Sequence, residues 1–268
     1  MPRIAFVIIA TQAQPWSAIH VDGQVPTWIT ALSATETYLC AYSSGSAGES
    51  WISPTDHRRI EYARNANKSF TIRQPALQNN HHGFFDAVNG YGSLVTCTLS
   101  AMSHLIQNFQ PDYIVRTNVS SYWNLPRLRS LLGAAPATNY YAGLPRKLYG
   151  GLYGRLNRAR YATGAGLIVS ADVAAKFVQH YKTFSTTFID DMAFGLQARR
   201  LRLQLTPLNR LDLESYAANQ ACSLEKLSAQ YHVRCKSYLD PRDESQRDDV
   251  RIMRSIHARI TGATPYSG

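Results

Sequence analysis

The chain reads as an α/β domain with a mainly parallel central sheet flanked by helices. Three observations carry that expectation. A β-branched, apolar run, Arg3 to Ala10, opens the chain and ends at Thr11, as a buried first strand would. Downstream, short apolar runs alternate with segments of helical periodicity, the pattern of strand–helix units on a shared sheet. The 268 residues, 45% hydrophobic and 17% charged, suit one large globular domain with a real core.

The elements follow in order. Thr37 to Tyr42 reads as a second strand, closed by the turn cluster Ser43–Ser44–Gly45–Ser46. Ser69 to Arg73 reads as a third. Ser93 to Phe109 places Leu94, Val95, Leu99, Met102, Leu105 and Ile106 at helical spacing. Pro111–Asp112 breaks that helix, and Tyr113 to Val115 makes a short strand. Leu125 to Leu132 reads as a helix with Asn124 as its N-cap and Gly133 at its end. Ser170 heads a helix over Ala171 to Tyr181. Asp191 to Arg200 makes another, with acids at its start where the helix dipole favours them. From Gln220 onward the chain turns polar and basic and is expected to wrap back over the sheet.

Composition narrows the function. The longest early apolar run, Ile4 to Ala10, is far shorter than the roughly 20 residues that span a bilayer. It lacks the charged leader and cleavage site of a signal peptide. The expectation is a soluble, cytoplasmic protein without a transmembrane segment; peripheral membrane contact stays open. Cys40, Cys97, Cys222 and Cys235 are scattered, so reduced thiols are expected rather than a disulfide framework or zinc site. The net charge of +10 and pI near 9.6 point to an anionic partner. From Arg116 to Arg160 there are eight basic residues (Arg116, Arg127, Arg129, Arg146, Lys147, Arg155, Arg158, Arg160) and no acid. Such a stretch is either a solvated basic face or a site for a diphosphate or an anionic acceptor. No helix-turn-helix, zinc-finger or RNP-like motif accompanies the charge, so nucleic acid is not the expected partner. No Rossmann or P-loop fingerprint is present. His81–His82 lacks a companion metal motif and reads as loop.

Three segments in fixed order carry the chemistry. After a helix comes Pro111-Asp112-Tyr113-Ile114-Val115-Arg116-Thr117-Asn118-Val119-Ser120-Ser121-Tyr122-Trp123-Asn124-Leu125. Then comes Tyr161-Ala162-Thr163-Gly164-Ala165-Gly166-Leu167-Ile168-Val169-Ser170-Ala171-Asp172, and finally Phe188-Ile189-Asp190-Asp191-Met192-Ala193-Phe194-Gly195. The trio, over roughly residues 80 to 200, resembles the β-1,3-galactosyltransferase and Fringe-like family of GT-A glycosyltransferases. In that family a strand ends in a Thr-Asp-Asp-Asp-Val-like run. A Tyr-x-Ser/Thr-Gly-x-Gly-x-x-x-Ser segment and a Glu-Asp-Val-x-x-Gly segment follow.

The resemblance implies a single GT-A domain over residues 1–268, with a basic tail from about 220 packing on the nucleotide side. It implies an inverting glycosyltransferase that moves a sugar from a nucleotide-sugar, a uridine diphosphate sugar, to a glycan acceptor hydroxyl. The departure is at Asn118-Val119-Ser120, where the family places cation-binding carboxylates. Neutral oxygens are poor ligands for a hard cation. A divalent metal such as manganese is therefore not expected to be essential, and no other cofactor is implied. Fixed cations can stabilise a departing diphosphate instead. Candidates are Arg116 and the segment Tyr231-His232-Val233-Arg234-Cys235-Lys236, where His232, Arg234 and Lys236 alternate and would share one face of a strand. Thr11, Asn118 and Ser120 complete the expected donor site. By the resemblance, Asp191 is the general base. Gly164 and Gly166 would let the backbone approach a sugar, and Asp190 and Trp123 would line the acceptor pocket. Each has a plainer reading: Asp190 and Asp191 as a capping pair, the glycines as an ordinary turn, Tyr122 and Trp123 as core. The alternative function is a catalytically inactive GT-A-like protein that binds glycan or a partner.

Overall fold

The computed structural model describes residues 1–43, 76–79, 81–85, 91–147, 160–185, 188–240 and 242–263. The first half of the chain forms β1 (Ile4–Ile9), α1 (Trp16–Ala18), a π-helical turn at Ile19–Gln24, β2 (Glu36–Ser43), β3 (Ala76–Asn79), β4 (His82–Phe85), α2 (Tyr91–Asn108), β5 (Tyr113–Asn118), β6 (Ser121–Trp123) and α3 (Leu125–Gly133). Next come β7 (Tyr141–Gly143), β8 (Pro145–Lys147), β9 (Arg160–Ala162), β10 (Gly166–Ser170), α4 (Ala171–Gln179) and α5 (Asp190–Arg200). The last part supplies β11 (Leu205–Pro207), β12 (Leu211–Asp212), α6 (Tyr216–Ala221), α7 (Leu224–Ala229), β13 (His232–Arg234), β14 (Tyr238–Asp240), β15 (Asp243–Arg247) and α8 (Asp249–Thr261). The strand expected at Ser69 to Arg73, and the turn residues after Ser43, lie outside the described residues.

The fold is mixed α/β, with an eight-stranded central sheet in the order β11-β7-β10-β5-β1-β2-β4-β3. β1–β2, β1–β5, β2–β4 and β11–β7 pair parallel. β10 runs antiparallel between β5 and β7, and β3 runs antiparallel to β4 at the edge. Every residue of β1 is buried, and the alternation of a strand explains how. Ala5, Val7 and Ile9 pack with α2, α4 and α5 residues such as Leu99, Phe177 and Phe194. Ile4, Phe6 and Ile8 pack on the opposite face with Trp28, Trp123, Leu128, Val233 and Ile252. The uninterrupted apolar run is thus the signature of a strand covered on both faces. Among the described residues, no helix is long and apolar enough to cross a membrane.

Two expected caps take other partners. Asn124 and Ser170 occupy the residues before α3 and α4, but neither side chain caps its helix. The Ser170 hydroxyl donates instead to Asp172 at 2.6 Å and accepts from the Tyr140 N–H at 3.0 Å. It ties β10 to the chain entering β7.

The strand order reverses at β1: the chain passes from β1 to β2 on one side and later inserts β5 on the other. In open α/β sheets, a crevice opens outside the carboxyl ends of strands at such a switch point. Here those ends are Ile9 and Asn118, which are register partners. A second, three-stranded sheet, β12-β13-β6, stands just beyond them.

Candidate active site

The turn from Thr163 to Gly166, between β9 and β10, gathers the charged groups. Its residues each meet a different partner. The Thr163 hydroxyl accepts a hydrogen bond from Arg210 Nη1 at 2.9 Å. The Gly164 carbonyl accepts from Arg116 Nη1, and the Gly164 N–H donates to Asp191 Oδ2 at 3.1 Å. The Ala165 carbonyl accepts from the hydroxyls of Thr117 and Ser121. Gly166 lies against the His232 ring.

Glycine is required at both ends of this turn because side chains fill the space a Cβ would need. A Cβ on Gly164 would stand 2.3 Å from Arg116 Nη1 and 3.3 Å from the Asp191 Cβ. One on Gly166 would stand 2.6 Å from His232 Nδ1. This corrects the expectation that the glycines leave room for a sugar: the room is taken by Arg116, Asp191 and His232. Gly166→Ala is expected to lower stability by about 1–3 kcal/mol, the usual cost of overpacking. Gly133→Ala, at the end of α3 with nothing within 4 Å, is the control. Urea unfolding compares them; equal losses would show that the His232 contact gives way freely.

Arg116 points from β5 to the start of α5, where its Nη2 forms an ion pair with Asp190 Oδ2. Both side chains are buried. Asp190 therefore belongs to an internal strut and not to an acceptor pocket, and Arg116 is committed to it. Asp191, the next residue, is half-buried. Its Oδ1 accepts from the Met192 N–H at 2.8 Å. Burial first, then the adjacent Asp190 charge, push the Asp191 carboxyl up to about 6, against the pull of Arg116 and the two N–H donors. Neither acid acts as a side-chain N-cap, since Ile189 holds that position. A carboxyl raised to about 6 is half ionised at that pH and mostly ionised at neutrality, where it can take a proton. Tyr161, whose side chain is raised to about 12 by burial and by Asp191, lies close by.

Trp123 is 1% exposed, and this corrects its assignment to the acceptor pocket. Its ring stacks on His232 at 4.0 Å, and its Nε1 donates to the Thr117 hydroxyl at 3.1 Å. Thr11 is also buried; its hydroxyl accepts from the Ala13 N–H at 3.3 Å and turns the chain away from β1. Asn118 ends β5 half-buried, with its Oδ1 accepting from the Ser121 hydroxyl at 3.0 Å and its carbonyl accepting from Gln24 at 3.0 Å.

The tail does return to this end of the sheet. β13 pairs antiparallel with β6, His232 opposite Trp123 and Arg234 opposite Ser121. Lys236 falls beyond the strand, with its ammonium 5.0 Å from the Tyr238 ring, so only His232 and Arg234 share a strand face. His232 is held well below its ordinary pKa by burial and by the charges of Arg210 and Arg234, and stays neutral. Ser120 accepts at its hydroxyl from Arg247 Nη2 at 2.9 Å, and its carbonyl accepts from the Cys235 N–H at 2.7 Å. The described residues contain no cluster of three or more His, Cys, Asp or Glu side chains placed to hold a metal ion.

No protein-family model and no curated protein matches this chain.

Two arginines that the sequence reading passed over belong to this site. Arg210 bonds both oxygens of Asp212, and Arg247 bonds both oxygens of Asp249. Each is an Arg-x-Asp triplet, Arg210-Leu211-Asp212 and Arg247-Asp248-Asp249. That repeated spacing was the available signal.

Proposed function

We propose that the chain is an inverting glycosyltransferase of the GT-A kind, using a nucleoside diphosphate sugar as donor and a glycan hydroxyl as acceptor. The observation that carries the reading is Asp191. It is a carboxylate with a raised pKa, oriented by the Gly164 N–H, at the end of the sheet where fixed cations gather. In this reading Asp191 removes the proton from the acceptor hydroxyl as that oxygen attacks the anomeric carbon. The bond to the diphosphate breaks on the opposite face, and the charge that builds on the leaving oxygen is met by cations near Arg234. The donor's nucleotide lies in the crevice at the ends of β1 and β5, near Asn118 and Ser120. Arg116 keeps Asp190 and the Gly164 turn in place and does not touch the donor. Lys236 serves the rim of the site at most.

A second reading is favoured by one finding. The Gly164–Gly166 turn and Trp123 are filled or buried by protein, which leaves fewer groups for a sugar. That would suit a nucleotide- or partner-binding protein without turnover. Slow hydrolysis of a nucleotide-sugar, in the absence of acceptor, separates the two.

Calorimetric titration with uridine diphosphate, with and without a chelator, is the direct test of the donor site. Binding is expected in both, because neutral Asn118 and Ser120 stand where carboxylates would hold a cation. Affinity that vanishes on chelation would count against cation-independent binding. A thermal-shift screen of nucleotide-sugars then ranks donors, since a ligand that binds only the folded state raises its apparent stability.

A further inference from the structure

We propose that the acceptor is an acidic sugar: Arg146, on the ribbon formed by β8 and β9, holds its phosphate or carboxylate while its hydroxyl faces Asp191. The role given to Asp191 rests on the transferase reading; the acidic-sugar site itself does not. Asp190 and Trp123 are internal, so the acceptor must lie against other groups. The start of α5 and the strand packed on it supply them. β9 runs so close to α5 that a Cβ on Gly195 would collide with the Tyr161 Cβ and stand 3.5 Å from the Arg160 carbonyl oxygen. Glycine at that position lets Tyr161 settle beside Asp191. Tyr161, Phe188 and Met192, each half-buried, pack against Leu196 and leave an apolar surface beside the carboxylate.

Strand register places the charge. Arg146 pairs with Tyr161, and Lys147 pairs with Arg160. Directly opposed residues share one face of a ribbon, so Arg146 stands on the face through which Tyr161 meets α5. The Tyr161 phenol feels both neighbours: after burial, Asp191 pushes its pKa up and Arg146 pulls it down. Lys147 and Arg160 set two like charges directly across a two-stranded ribbon, an arrangement that costs stability unless an anion attends it. All three cations are exposed, and among the described residues none of them forms an ion pair. The surrounding sequence offers no counter-charge either, since Tyr113 to Ala171 contains no acidic residue.

Together these features select the ligand. A neutral sugar would use the Tyr161 and Phe188 surface and gain nothing from the cations. A small inorganic anion would use the cations and gain nothing from the apolar surface. A sugar bearing a phosphate or a carboxylate uses both, and the arginine fork matches the oxygens of either group. Arg146 also offsets the repulsion that Asp191 would exert on an incoming anion. Without that cation, an acidic acceptor could not bring its hydroxyl up to a carboxylate base at low cost.

The test uses glucose 6-phosphate, galactose 6-phosphate, glucuronate and galacturonate, with glucose, galactose and inorganic phosphate as controls. Each is titrated into the whole protein, labelled with carbon-13 on the tyrosine rings and nitrogen-15 on the arginine side chains. At least one acidic sugar is expected to bind at millimolar concentration and to move the Tyr161 ring and Arg146 Nε–H signals. The phosphate and uronate arms tell which anion is preferred; the neutral sugars should bind more weakly. Arg146→Gln should weaken acidic-sugar binding about tenfold, within the range of a charge-assisted hydrogen bond. It should leave the melting temperature unchanged, because Arg146 is exposed. Arg199→Gln, in the last turn of α5, should change nothing. Failure of every acidic sugar to move Tyr161 would overturn the site, as would neutral sugars that bind equally well. Inorganic phosphate binding as tightly as the sugar phosphates, or Arg199→Gln as damaging as Arg146→Gln, would reduce the patch to general charge attraction and overturn it too. If acidic sugars bind through Arg146 but no nucleotide binds, the site stands and the transferase reading falls. If a nucleotide-sugar is turned over on a neutral acceptor and Arg146→Gln leaves that rate unchanged, the transferase reading stands and this site falls.

Discussion

On the proposed transferase reading, Asp191→Asn is expected to lower sugar transfer by about 10²–10⁴-fold, the contribution of a general base. Asparagine keeps the size of the side chain and one oxygen for the Gly164 N–H, so nucleotide affinity should hold. Two accompanying results make the prediction specific. In wild type, kcat/KM should rise with pH through about 6, because the base works only when ionised and its pKa is raised to that value. The variant's residual activity should lack that limb. Stability should move the other way. The folded pKa of Asp191 lies above its ordinary 3.8, so the folded state holds the proton more tightly than the unfolded one. Stability contributed by that proton is present below 3.8 and is lost as pH rises toward about 6. At pH 8 wild type keeps a carboxylate that burial and Asp190 disfavour. Asp191→Asn should therefore melt at the same or a higher temperature there. Near-normal transfer by the variant would move the base elsewhere.

Arg116→Met is expected to cost about 3–5 kcal/mol of folding stability. Removing one partner of a buried ion pair strands the other, here Asp190, without a counter-charge. The Gly164 carbonyl also loses its donor, which loosens the turn that orients Asp191. The double variant Arg116→Met with Asp190→Asn should recover much of the loss, because no buried charge remains. Urea unfolding of the wild type, both single variants and the double variant closes the cycle. A loss below about 1 kcal/mol for Arg116→Met would place the pair in the weak class of solvent-screened bridges.

Local pattern made some of the molecule legible in sequence and long-range pairing hid the rest. The unbroken apolar run at β1 announced a buried strand, and Pro111–Asp112 announced the break before β5. The helices at Leu125, Ala171 and Asp191 begin within a residue of where their patterns start. Caps were less legible. Ser170 has the right chemistry and position, but Asp172 and Tyr140 compete for its hydroxyl. In the site, the paired acids at 190 and 191 stood out, yet their division of labour depends on Arg116, which is 74 positions away from Asp190. Gly164 and Gly166 were visible as glycines. What fills the space beside them was not, because His232 arrives from a strand near the other end of the chain. Alternation at 232, 234 and 236 suggested three cations on one face. Only two fall within the strand, since β13 ends at Arg234 and Lys236 lies beyond it.

The late position of β13 also matters while the protein is being made. A ribosome releases β1 through β10 and α5 before it releases Arg210, Arg234 or Arg247. For that interval a nascent chain could build most of the central sheet and set Asp191 in place with no cation cluster beside it. β6 would meanwhile present an unpaired edge, the kind that recruits strands from other chains. Pairing with β13 closes that edge and delivers His232 and Arg234 in the same step. A messenger cut short after α5 would therefore yield a chain with an open strand edge and none of Arg210, Arg234 or Arg247 beside Asp191.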